Sequence, residues 1–108
     1  MISSATAMLL LVAAPETPGE TRGAYSRCLK EFVQASLDKK LDAAMFDAAF
    51  AAACQDKEVR LKSLLIKSGV SVGMKPRESE KATSEEISEY RLMAKEDFQA
   101  QLASAPKP

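Results

Sequence analysis

The stretch that decides the fold runs from Cys28 to Cys54, CLKEFVQASLDKKLDAAMFDAAFAAAC. Its first half places Cys28, Leu29, Phe32, Val33 and Leu37 at helical spacing, continuing from Tyr25, so that one stripe of the helix is apolar. Its second half does the same with Met45, Phe46, Ala49, Phe50, Ala53 and Cys54, and Leu61, Leu64 and Leu65 carry that stripe onward. Between them, Asp38, Lys39 and Lys40 end the first helix with cations at the negative end of its dipole. Asp42 is a good N-cap for the second, and Leu41 and Phe46 flank it as a hydrophobic staple.

Residues equally far from the turn of an antiparallel hairpin lie side by side. Cys28 and Cys54 are each about 13 residues from Leu41, or ~20 Å along their helices, and both fall on the apolar stripes. The spacing therefore predicts a Cys28–Cys54 disulfide, worth roughly 3.5 kcal/mol through the loop it closes. In a chain this small that is a large share of the stability. The same register sets Phe32 against Phe50 and Leu29 near Ala53, so Phe50→Ala is expected to cost about 3–5 kcal/mol. The alternative is a pair of buried free thiols in a cytosolic helical subunit.

Working outward, Thr17, Pro18 and Glu20 form a helix start, with cap, first-turn proline and capping box. Ser68 and Gly69 end the second helix, and Val70 to Lys75 is a linker broken by Gly73 and Pro76. The third helix begins between Pro76 and Ser84, where Thr83, Ser84 and Glu86 offer a second capping box, and Ile87, Tyr90, Ala94, Phe98 and Leu102 form its stripe. The reading is an all-α domain over residues 15–104, with helices near 18–38, 43–68 and 77–103 and a tail at 105–108. It is a disulfide-linked antiparallel helical hairpin with a third, loosely docked helix. Leu64 pairs with the weak start of helix one, so the third helix is expected to cover Leu61, Leu64 and Leu65 as a displaceable lid. Leu61, Leu64, Leu65, Ile87, Tyr90 and Phe98 then make up the candidate partner-binding face.

Composition narrows the chemistry. Among 108 residues there are 15 Lys+Arg, 15 Asp+Glu and no His, so no basic excess favours nucleic acid, and the usual catalytic base and metal ligand are missing. Four glycines form no phosphate-binding loop, and the serines have no His partner. Glu85, Glu86 and Glu89 read as a solvated face rather than a metal site. An enzyme is not expected, nor is a cofactor or small-molecule substrate. Residues 57–77 hold six cations against Glu58, and residues 78–97 hold seven carboxylates against three cations. This arrangement predicts opposite charges lying side by side once the third helix folds back on the second. The other reading is a bipolar surface for a charged partner.

The uncharged run at residues 5–14 is too short to span a bilayer but suits a secretory signal, with Val12, Ala13 and Ala14 before the cut. The alternative is an apolar arm packed on the domain. Tyr25-Ser26-Arg27-Cys28-Leu29 followed by Ala52-Ala53-Cys54, after such a leader, resembles small uncharacterised exported helical proteins of alphaproteobacteria. That resemblance implies a disulfide-linked hairpin and no known activity. A fainter likeness is to periplasmic lysozyme-inhibitor-like domains, which carry more aromatics and further cysteines. The expected protein is exported, periplasmic or secreted, and non-enzymatic, binding an unknown protein partner or serving as a structural module of the cell envelope. The alternatives are an inhibitor or chaperone-like module and an adaptor tethered to the membrane by an uncleaved leader.

Overall fold

A computed structural model describes residues 16–105. The signal-like run and the end of the tail, residues 106–108, lie outside them. The described chain is all-α, with four helices: α1 (Pro18–Asp38), α2 (Ala43–Phe50), α3 (Gln55–Ser71) and α4 (Pro76–Ser104). The caps act as their chemistry requires. Glu20 N–H donates to Thr17 Oγ1 at 3.1 Å and Met45 N–H to Asp42 Oδ1 at 2.8 Å. Lys40, in the left-handed region at φ 57°, lets the Leu41 and Lys40 amides close back on the Ser36 and Leu37 carbonyls, which ends α1.

The expected second helix is in fact two. Residues 51–54 leave the helical path, and Cys54 sits at φ 60°, a conformation costing a non-glycine residue about 1–2 kcal/mol. Ala51, Ala52 and Ala53 are the best of helix formers, so propensity alone does not break the chain here. The break is held by tertiary contacts, the Cys28–Cys54 disulfide among them.

One further boundary moves. Gly73, at φ 102°, ends α3 in place of Gly69, its amide and that of Met74 bonding the Val70 and Gly69 carbonyls. Gly69 instead lies inside α3, where a Cβ would strike the Ser79 side chain. Its absence lets α4 approach closely enough for the Ser79 hydroxyl to donate to the Ile66 carbonyl at 2.9 Å. α4 starts at Pro76, and Thr83 to Glu86 lie within it, so the second capping box starts nothing.

The core gathers Tyr25, Leu29 and Val33 from α1, Phe46 and Phe50 from α2, Leu61 and Leu65 from α3, and Ile87 and Phe98 from α4. The predicted register holds, since the Phe32 and Phe50 rings lie 5.9 Å apart and Cys28 and Cys54 are bonded. Antiparallel packing of the last helix on the second half of the former helix two holds as well. Its docking is wider than expected, because it also reaches α1 through Arg22–Glu86 and α2 through Phe46–Phe98. With a loop of 26 residues closed, Cys54→Ser is expected to lose roughly 2–4 kcal/mol while keeping most of the helicity. Parallel denaturation of both proteins under non-reducing conditions measures this; equal midpoints would contradict it.

Candidate functional site

The sequence-derived partner face lies largely inside the molecule. Leu61 and Phe98 are fully buried, Leu65 and Ile87 nearly so, and Leu64 and Tyr90 are half-buried. Their burial agrees with the expected cover by the last helix, which also sets Phe98 on Phe46 and Tyr90 edge-on to Tyr25.

The densest polar constellation is one that charge counting missed. Arg91 projects from α4 into the break between α2 and α3. Its Nε donates to Glu58 Oε1 at 2.6 Å, Nη1 to the Phe50 carbonyl at 2.9 Å and Nη2 to the Ala53 carbonyl at 2.8 Å. Its guanidinium carbon stands 5.0 Å from the Phe50 ring centroid. The Tyr25 hydroxyl donates to the same Glu58 oxygen at 2.8 Å, and the Tyr25 ring meets Tyr90 edge-on at 5.8 Å. One guanidinium thus bonds the Ala53 carbonyl, joins the Ala53 amide on the Phe50 carbonyl, and ties the end of α2 to the first turn of α3 and, through Tyr25, to α1. The signal was present in the sequence: Arg91 follows Ile87 by four residues and so falls on the apolar stripe of α4.

Electrostatics follow from these bonds. Burial pushes the Glu58 carboxyl upward, but the hydrogen bonds from Arg91 and Tyr25 and the charges of Arg91 and Lys62 outweigh it, holding the group below its ordinary value of 4.5. Burial, together with the hydrogen bond to Glu58, pushes the Tyr25 phenol well above its ordinary 10.0. The signs of the two contributions are opposite. Glu58 stabilises the fold above its unfolded pKa, and that contribution drains away as pH falls through the lower folded value. Tyr25 contributes fully below its ordinary pKa and loses its contribution as pH rises beyond that value. Unfolding midpoints of the native protein are therefore expected to fall on the acid side more steeply than those of Glu58→Gln. Parallel acid slopes would contradict this account of the carboxylate.

As chemistry, the cluster is spent. Both Tyr25 and Arg91 donate to Glu58, the rest of Arg91 is given to backbone, and among the described residues every buried side-chain polar atom has a partner. No group of three or more Cys, Asp or Glu among them is gathered to hold a metal. The concave features are shallow and lie elsewhere. A groove of about 440 Å³ between α1 and α4 is lined by Leu29, Lys30, Tyr90, Met93 and Asp97. A more open shelf on α3 is lined by Glu16, Val59, Arg60, Ser63, Leu64 and Lys67. The disulfide borders a third depression with Gln55 and Lys57, and both cysteines are half-buried.

The expected charge pairing between α3 and α4 is absent. Among the described residues the one ion pair joining those helices is Glu58–Arg91, whose polarity is the reverse of the two blocks. Arg22 pairs with Glu86, Lys95 with Asp47, and Arg60 with Glu16. The blocks face solvent because α4 turns its buried stripe, not its carboxylates, toward α3. No helix among the described residues is long and apolar enough to cross a membrane. No protein-family model, curated protein or solved structure matches the chain.

Proposed function

We propose that this is an exported helical protein, periplasmic or secreted, that works without catalysis by presenting a rigid surface to another protein. The observation that carries the reading is the disulfide. Cys28 and Cys54 are bonded, half-exposed and placed where thiols of a reducing compartment would stay open. The signal-like run at residues 5–14 points the same way. Binding rather than catalysis is favoured because the buried ionisable cluster has its donors and acceptors committed to closing the fold. Meanwhile Val59, Leu92 and Met93 stand 66%, 55% and 67% exposed on an otherwise well-buried framework.

Intact mass of the protein isolated from its own cells, with alkylation before and after reduction, tests this directly. The expected product lacks residues 1–14, is two hydrogens lighter than the dithiol form and takes up alkylating agent only after reduction. A full-length chain with both thiols alkylated without reduction would place the protein in the cytosol and overturn the reading.

A further inference from the structure

Between α2 and α3 the backbone gives up what its residues favour. Ala51, Ala52 and Ala53 are strong helix formers held in a turn. Two of their bonds fall back to the tighter i−3 pattern, Ala52 on Ala49 at 3.3 Å and Ala53 on Phe50 at 3.0 Å. Cys54, which opens α3, stands at φ 60° where a helix start is ordinarily extended, and it has no side-chain oxygen with which to cap. Among the described residues the amides of Cys54, Gln55, Asp56 and Lys57 find no backbone or side-chain acceptor. An unbroken helix would give those amides the carbonyls of Phe50, Ala51, Ala52 and Ala53. It would also keep the core, because Phe46, Phe50, Ala53, Leu61 and Leu65 recur at helical spacing and stay on one face. Two contacts stand against it. The Cys28–Cys54 bond holds Cys54 off the helical path, and Arg91 holds the Phe50 and Ala53 carbonyls.

We infer that the disulfide is a conformational switch: oxidised, it holds the break, and reduced, it lets α2 and α3 join into one helix over residues 43–71. The chemistry needs a dithiol. This supplies two electrons and two protons, the bond between the two Sγ atoms breaks, each cysteine becomes a thiol, and the dithiol closes to its own disulfide. Access is present, since both cysteines are half-buried at the edge of a depression of about 430 Å³ that Ala52 and Gln55 also line. After reduction Arg91 alone opposes joining. Its two carbonyl bonds are exchanged for four amide bonds, a relaxed Cys54 and three helical alanines, while Glu58 keeps the guanidinium. The switch deepens the binding reading above, because the angle between α2 and α3, and so the shape shown to a partner, is set only where the disulfide forms. It rests on that reading for its purpose and not for its test.

Backbone NMR of the full chain, first oxidised and then reduced with dithiothreitol, decides the matter. On reduction the Cα shifts of residues 51–54 are expected to move to helical values. Exchange of the amides of residues 54–57 should slow by at least about tenfold, while α1 and α4 stay helical. Cys28→Ser should show the same change without reductant, since it frees Cys54 and leaves the residues of the break untouched. Ala51→Gly/Ala52→Gly, at two exposed positions, should speed those amides again by roughly twentyfold in the reduced chain and leave the oxidised break in place. Equal shifts at residues 51–54 in both redox states overturn the inference, as does equally slow exchange in the reduced glycine variant. A reduced chain that loses α1 and α4 as well has no second folded shape and overturns it too. A break that survives reduction leaves the proposed function standing. Free thiols in the protein from its own cells remove that function and leave the switch intact.

Discussion

Phe46→Ala is expected to destabilise the protein by about 3–5 kcal/mol, the largest loss among single apolar substitutions in the chain. Phe46 is fully buried and touches three other rings. It stacks on Phe98 at 3.9 Å between centroids and 5° between planes, on Phe50 at 5.0 Å, and tilts against Phe32 at 5.6 Å. The four phenylalanines bring α1, α2 and α4 together, so removing the central ring leaves a cavity whose walls belong to three elements. α2 has only eight residues and is too short to persist without that packing. Denaturant titration should show a lower midpoint with an unchanged slope. Met45→Ala, one position away and 54% exposed, should change stability by no more than about 0.5 kcal/mol. A Phe46→Ala loss below about 1 kcal/mol would mean that α2 is not anchored by α4.

Arg91→Met carries the second large effect, about 3–5 kcal/mol. The substitution keeps much of the side-chain volume while leaving the Glu58 carboxylate, 16% exposed, with Tyr25 and the distant Lys62 ammonium, and it strips the Ala53 carbonyl of its side-chain donor and leaves the Phe50 carbonyl with the Ala53 amide alone. Arg91→Lys should recover only part of the loss, because an ammonium cannot reach three acceptors in the geometry of the guanidinium fork. Pairing Arg91→Met with Glu58→Gln in a double-mutant cycle separates the carboxylate bond from the two carbonyl bonds. If the cycle shows full additivity, the charge pair adds nothing and the carbonyls alone set the cost. An Arg91→Met loss under about 1 kcal/mol would show that the break between α2 and α3 closes without it.

Much of this architecture could be read from residue types and spacing. Thr17 and Asp42 announced their helices because a side-chain oxygen before an apolar repeat has an amide to accept from, and both do. The cysteine pairing followed from equal distance to one turn. The break at residues 51–54 was not legible, since Ala51 to Ala53 favour helix and the forces that interrupt it come from Cys28 and Arg91, remote in sequence. Gly69 and Gly73 were equally good stops on paper, and only the approach of Ser79 assigns each its task. How firmly the candidate partner face is covered is not legible for a related reason: an apolar stripe marks what a helix buries without saying whether its cover is permanent.

α4 belongs to the core, with Ile87 and Phe98 buried against the other helices. Native-state hydrogen exchange tests it most directly. Phe98 and Ile87 are as buried as Tyr25 and Leu29, so amides of residues 87–98 are expected to exchange with the same high opening free energy as those of residues 25–33. Rapid exchange across residues 87–98, while α1 and α3 stay protected, would contradict the claim and restore α4 as a displaceable lid.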